Sequence, residues 1–239
     1  MFINTSNHIS GTIYETFTNI KNYFLLSKVN KQLAKENARL KSSKNYESEI
    51  IKIGNLVNNI AQDSLAYKYT SALVINNSIN KPFNYITLNK GARHGIKPDQ
   101  GIISINGIVG VTLKVSDSFT LAMSVLNNRW SISAKIKKNN YFGSLVWQGG
   151  DYRTASLTEI PIHVNISTGD TIVTSGFSSI FPEGIMIGVI DKFSRNEGDN
   201  YYTIDLSLAT DFKSLSYVEV IENSYRDEIL KLEEITEND

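Results

Sequence analysis

Short β-prone runs separated by turn residues fill most of the chain after Tyr67. Runs such as Tyr85–Leu88 and Thr171–Thr174 are rich in β-branched and aromatic residues, which favour extended backbone. Gly, Asn, Asp, Ser and Pro residues bound each run and break the strand there. Roughly a dozen strands of this length, with turns at this spacing, are typical of β-barrels and β-sandwiches. We therefore predict a mainly β protein.

Two of these runs, Thr171–Thr174 and Ile185–Val189, are joined by an unusually long connection. Pro182 suits the first central position of a turn, and Gly184 could supply a positive φ two residues later. Gly188 interrupts the second run, which indicates a bend or the close approach of another backbone. The pattern predicts two strands with a structured loop between them, and an ordinary hairpin is the simplest interpretation.

A faint internal repeat indicates two related β units. Each unit has a strand preceded by Gly-containing turn residues and a second strand that begins at glycine. The corresponding segments are Pro98–Ile103 followed by Gly107–Val111, and Thr168–Val173 followed by Gly184–Val189. The second copy carries an insertion, Thr174–Pro182, which makes it distinctive.

The first part of the chain has helical rather than β periodicity, from Ile13 to about Leu65. Within it, two heptads place Asn and Leu at the two positions that face the partner helix in a coiled coil. These residues, which we call the dimer seam, are Asn30, Leu33, Asn37 and Leu40. Leu at such a seam buries against a partner helix, and Asn there fixes the register of parallel pairs. We predict a parallel homodimer through this helix. The alternative is an amphipathic helix packed on its own domain.

Charge and cysteine content exclude several classes of function. The chain carries 24 basic and 24 acidic residues, so no overall field recruits nucleic acid. It has no cysteine, which rules out disulfides, thiolate metal sites and a cysteine nucleophile. Residues 223–239 hold two basic and six acidic residues, and we expect a solvated, poorly ordered tail. The sequence shows neither a long apolar run nor a signal peptide.

Catalytic, cofactor-binding and metal-binding residues are not predicted. The histidines His8, His94 and His163 are isolated in sequence, and Ser175 lacks the surroundings of a known nucleophile motif. A small basic patch near Tyr141 and Phe142 is interpreted as a strand edge guarded by lysines; it comprises Lys135, Lys137 and Lys138.

Several ordered motifs resemble the MreC family of bacterial rod shape-determining proteins over roughly residues 5 to 222. The most specific is GD-x-IVTSG-x-x-x-x-FP-x-GI-x-x-G-V at Gly169–Val189. The others, in order, are Ile86–Gly91, Gly95–Gly101, Gly107–Val111, Ile132–Ile136, Tyr141–Val146 and Ser214–Val218.

The resemblance implies two small interleaved six-stranded β-barrels preceded by a coiled-coil helix. The domains expected from it are a helical dimerisation arm (1–69), a first barrel (70–131 plus 200–222), a second barrel (132–199) and an acidic tail (223–239). Eight residues are expected to shape the distinctive loop of the second barrel: Gly169, Asp170, Ser175, Gly176, Phe181, Pro182, Gly184 and Gly188. Phe181 is expected either to contact a partner or to anchor the loop.

The resemblance also implies a non-enzymatic scaffold of the cell-wall elongation machinery on the periplasmic face of the inner membrane. Such a scaffold would maintain cell shape by organising peptidoglycan synthases, and it would use no cofactor. Implied partners are a second copy, a class B penicillin-binding transpeptidase, MreD, RodA and the MreB system, with filaments as a further expectation. We expect the family's single transmembrane anchor to be missing here, with Phe2–Asn7 just outside it. The alternative is a soluble dimeric β-barrel protein with a ligand-binding or regulatory function.

Overall fold

The computed structural model describes residues 27–42, 67–195 and 198–237. It contains helix α1 (residues 27–42), a short 3₁₀ helix (Ala92–His94), helix α2 (Arg226–Glu237) and twelve strands. The strands are β1 (Tyr67–Asn77), β2 (Phe83–Leu88), β3 (Gly101–Ile103), β4 (Ile108–Val115), β5 (Thr120–Asn127), β6 (Ser131–Ile136), β7 (Phe142–Val146), β8 (Thr154–Thr158), β9 (Thr171–Thr174), β10 (Met186–Ser194), β11 (Thr203–Leu208) and β12 (Tyr217–Asn223).

The strands form two closed, fully antiparallel barrels of six strands each. The first closes in the order β1-β12-β3-β4-β5-β2, and the second in the order β10-β11-β8-β7-β6-β9. Strands such as β7 alternate between exposed and buried residues, because one face of each strand fills a barrel and the other faces outward. The predicted fold class is confirmed. The pairing of α1 in a coiled coil stays a prediction, and the other helical segments predicted in residues 1–26 and 43–66 lie outside the described residues.

Both barrels have the same strand arrangement, as the internal repeat predicts. The second barrel is built from six strands that are consecutive in the chain, β6 to β11. The first barrel is built from β1 to β5, with β12 in the place that β6 occupies in the second. The pairs β3–β4 and β9–β10 therefore hold equivalent positions. Gly110 and Gly188 lie at matching points of the repeat, and a Cβ at either would come within 2.2 Å of a carbonyl oxygen on the neighbouring strand.

The prediction that residues 200–222 complete the first barrel is wrong for β11. Strand β11 pairs with β8 and β10, so it belongs to the second barrel. The chain returns to the first barrel only with β12, which pairs with β1 and β3. The first barrel also begins earlier than residue 70, since β1 pairs with β12 from Tyr67 onward.

The acidic tail forms helix α2, which corrects the expectation of a poorly ordered end. Asp227 and Glu228 lie in its first turn, where carboxylates interact favourably with the positive end of the helix dipole. Its beginning is held close to the first barrel, because Asn223 Oδ1 accepts a hydrogen bond from Tyr225 N at 3.0 Å. Within the described residues, neither α-helix is long and apolar enough to cross a membrane.

The largest hydrophobic core is continuous across both barrels. It joins Ile103, Ile108 and Leu126 of the first barrel to residues such as Leu157 and Ile187 of the second. A smaller core lies inside the first barrel alone. Because apolar side chains from both barrels are buried together, the two barrels pack as one unit through a shared apolar junction.

Candidate functional site

The distinctive loop between β9 and β10 lies at the junction of the two barrels. Asn223 of β12, in the first barrel, donates a hydrogen bond from Nδ2 to the Ser179 carbonyl of the loop at 2.9 Å. A second hydrogen bond links the barrels nearby. Thr210, which follows β11 of the second barrel, donates from Oγ1 to the carbonyl of Ile108 in the first barrel at 2.9 Å. The loop therefore connects the barrels and is more than a hairpin turn.

Phe181 is the apolar anchor of this loop and is only 1% exposed. Its ring packs so tightly on β3 that a Cβ at Gly101 would lie 2.7 Å from the ring. Trp130, at the start of the second barrel, lies with its ring centroid 6.4 Å away. Of the two alternatives expected for Phe181, a partner contact or a loop anchor, its burial between the two barrels favours the anchor.

The other predicted loop residues hold the backbone of the connection. Gly169, Gly176 and Gly184 have φ values of 88°, 88° and 89°, a conformation that side chains rarely adopt. Asp170 Oδ2 accepts from Ser167 N at 2.8 Å and closes the turn before β9. The Pro182 carbonyl accepts from Thr174 Oγ1 at 2.6 Å. All these contacts are within the protein, which gives them a structural role.

Ser175 is held by neighbouring backbone and hydroxyl groups. Its hydroxyl donates to Ser133 Oγ at 2.7 Å and accepts from Phe177 N at 3.2 Å. His94 and His163 lie elsewhere: His94 Nδ1 accepts from Gly91 N at 3.3 Å, and the His163 ring lies against Tyr141. These contacts do not assemble a nucleophile, base and acid. No group of three or more potential metal ligands occurs among residues 27–42, 67–195 and 198–237.

Helix α1 rests on the first barrel and leaves its predicted dimer seam exposed. Ala38 is 5% exposed, and Lys41 Nζ forms an ion pair with Glu219 Oε2 of β12 at 2.5 Å. Leu33 and Leu40 are 55% and 49% exposed. The helix thus packs on its own domain through Ala38 and Lys41, while Leu33 and Leu40 stay about half exposed.

A cleft of about 330 Å³ separates the seam side of α1 from the first barrel. Asn30, Leu33 and Asn37 line it on the helix side, and Ile103 and Ile105 line it on the barrel side. Ile105 is 88% exposed, which is unusual for a large aliphatic side chain. The structure therefore brings three of the four predicted seam residues, all but Leu40, beside an apolar barrel residue that sequence reasoning missed.

An exposed aromatic pair lies on the second barrel. Phe142 and Phe177 are 60% and 67% exposed, and their ring centroids are 5.4 Å apart in a T-shaped arrangement. We call these two residues the Phe pair. The alternation of β7 could have identified Phe142, because the buried residues Gly143 and Leu145 put it on the outer face. Phe177 lies in the loop, where no periodicity indicates its direction.

The lysine patch is not an open strand edge, which corrects the sequence interpretation. Strand β6 pairs with β7 on one side and β9 on the other, so the closed barrel leaves it no free edge. Lys135 forms an ion pair with Glu183, and Lys138 Nζ lies 3.6 Å from Asp170 Oδ2. Lys135 and Lys138 are thus paired with carboxylates on the barrel surface next to the Phe pair.

Comparison with known proteins finds one family throughout. A family model described as the barrel core of the rod shape-determining protein MreC matches residues 74–222. The cell shape-determining protein MreC of Listeria monocytogenes is 30% identical over 163 residues, covering 66% of this chain and 55% of that protein. MreC of Bacillus subtilis is 27% identical over 211 residues, covering 79% of this chain and 68% of that protein. The chain thus spans only about half of the Listeria relative.

Solved structures of the same family share the fold. MreC of Listeria monocytogenes superposes with a TM-score of 0.65 at 24% identity, over 83% of this chain and 94% of that one. A complex between penicillin-binding protein PBP2 and MreC from Helicobacter pylori matches with a TM-score of 0.54 at 20% identity, over 66% of this chain and 99% of that one. The family model covers more than half of the chain, including nearly all of both barrels, and the chain belongs to the MreC family of rod shape-determining proteins.

Proposed function

We propose that this protein is a non-enzymatic scaffold that maintains cell shape by organising peptidoglycan synthases at the periplasmic face of the inner membrane. Family membership supports a role in cell shape. The observation that carries the finer proposal is the Phe pair, an exposed aromatic surface on a rigid, closed barrel. A Helicobacter pylori relative is known in complex with PBP2, which makes a penicillin-binding transpeptidase the first partner to test.

The closed barrels determine how a partner can bind. Strand addition needs a free sheet edge, and every strand of both barrels is paired on both sides. Binding to a barrel must therefore use side chains, and aromatic residues including phenylalanine are enriched in the buried cores of interfaces. MreD, RodA and the MreB system remain further proposed partners of the assembly.

Replacing Phe177 with serine should reduce capture of a transpeptidase by this protein. Loss of a central aromatic contact costs about 2 kcal/mol or more, which is roughly a thirtyfold weaker Kd. The 239-residue chain serves as bait for detergent-solubilised envelope, and a fluorescent penicillin labels the retained transpeptidases. The matched control is Phe119→Ser, which removes a 50% exposed phenylalanine from the first barrel. Equal capture by both variants would contradict the proposed contact.

Dimerisation through α1 is part of the same proposal, since a scaffold that joins several synthases gains from two copies. Replacing Leu33 and Leu40 with aspartate should convert a dimer to a monomer, because carboxylates cannot be buried in a helix seam without a large desolvation cost. Light scattering measures the mass. Gln32→Asp, on an exposed position beside the seam, is the control and should leave the dimer intact. A dimeric mass for the Leu33→Asp/Leu40→Asp variant would exclude this seam.

A further inference from the structure

Three lysines converge on a small pocket on the flank of α1 opposite the dimer seam. Lys31 and Lys35 reach it from α1, and Lys90 reaches it from the connection after β2. The pocket measures about 120 Å³ and is also lined by Ser71 and Asn89 of the first barrel. We call it the lysine pocket. It shares no helix residue with the cleft beside Leu33, so a partner at the seam would leave it open.

None of the described residues that line this pocket is acidic. Among the described residues, no ion pair includes any of the three lysines, whereas Lys41, on the seam side of α1, is paired with Glu219. Burial, followed by the ammonium groups of Lys35 and Lys31, lowers the pKa of Lys90. Three cationic groups that repel one another in a partly buried pocket create a positive potential that a bound anion would relieve.

Hydrogen bonds fix the loop that carries Lys90. Thr120 Oγ1 donates to the Lys90 carbonyl at 2.7 Å, and Leu73 N donates to Asn89 Oδ1 at 2.8 Å. The Lys90 backbone is therefore held against the barrel, and its side chain is already half-buried. Lys90 therefore needs little ordering before it can bind, which lowers the entropic cost of binding.

We propose that the lysine pocket binds a phosphate group. Lysine ammonium groups bind phosphate as point charges, three of them can surround one anion, and Ser71 adds a hydroxyl donor. The small volume suits a phosphate rather than a peptide. The same chemistry is offered by free phosphate and by the headgroup of an anionic phospholipid. Since α1 and the first barrel form this site, it is independent of the Phe pair on the second barrel.

Titration of the 239-residue chain with inorganic phosphate tests this site. The lysine ε-methylene resonances should shift saturably for wild type, and the Kd should rise at least tenfold for Lys31→Gln/Lys35→Gln. Glutamine keeps the helix propensity of lysine, so this variant should fold normally, and its Tm verifies that. The control Lys114→Gln/Lys137→Gln removes two exposed lysines elsewhere and should bind phosphate like wild type.

Vesicle sedimentation distinguishes the two sources of phosphate. Binding to phosphatidylglycerol vesicles but not phosphatidylcholine vesicles, lost with Lys31→Gln/Lys35→Gln alone, would identify an anionic lipid headgroup. Selective phosphate binding without vesicle binding would identify a free phosphate ligand. Absence of saturable phosphate binding by wild type, or equal weakening in both double variants, would overturn the proposal.

Discussion

Replacing Phe181 with alanine is expected to lower the free energy of unfolding by about 3–5 kcal/mol, the range for deleting a buried phenylalanine ring. The side chain is 1% exposed and fills the space between Gly101 of the first barrel and Trp130 of the second. Because tight packing on both sides limits collapse of the cavity, the cost should fall in the upper part of that range.

The same substitution should also weaken the coupling between the barrels. Phe181 belongs to the second barrel by sequence but packs against β3 of the first. Urea unfolding followed by far-UV circular dichroism should change from one transition to two, with a smaller m-value for each, because each step exposes less surface. Near-UV signals of Trp130 would report the junction directly.

The control for this experiment is Phe177→Ala, four residues earlier in the same loop. Its ring is 67% exposed and packs against Phe142, so truncation should lower the free energy of unfolding by only about 1 kcal/mol. A Phe181→Ala variant as stable as Phe177→Ala would show that the junction does not depend on the buried ring. Comparing the two variants also separates an effect on stability from an effect on partner binding, since the Phe177 variant should fold normally.

The architecture could be predicted from sequence because it depends on local patterns. Alternation in runs such as Phe142–Val146 indicates strands with one buried face, and Gly and Pro positions indicate where strands end. The resemblance to a known family then indicates that these strands close into two barrels. Helix α2 is not predicted, because the six acidic residues of 223–239 indicate a solvated tail. The spacing of its apolar residues gives a weaker signal, and among them Ile229 and Leu230 are half-buried.

Membership of each strand in one barrel or the other could not be predicted locally. Strand β11 has the same alternation as any other strand, and only its pairing with β8 places it in the second barrel. The burial of Phe181 could not be predicted for the same reason. A phenylalanine beside Pro182 in a turn-rich loop looks exposed from its neighbours, and Gly101, 80 positions away in sequence, is what allows it to be buried.

Gly188 and Gly184 should respond very differently to the same added methyl group. A Cβ at Gly188 would lie 2.2 Å from the Ser207 carbonyl of β11, a backbone atom that can move only if the two strands separate. Overpacking of this kind typically costs about 1–3 kcal/mol and occasionally more, and the rigid ladder places Gly188→Ala at the upper end, at about 3 kcal/mol. A Cβ at Gly184 would meet nothing within 4 Å.

Gly184→Ala should therefore carry only the conformational cost of its φ of 89°, about 1–2 kcal/mol for a left-handed alanine. Denaturant unfolding of the two variants measures the difference in stability. Hydrogen exchange locates it: the amides of β10 and β11 should lose protection in Gly188→Ala, whereas the loss in Gly184→Ala should stay within the loop. Equal destabilisation with the same exchange pattern would contradict the close approach of β11 as the reason for glycine at position 188.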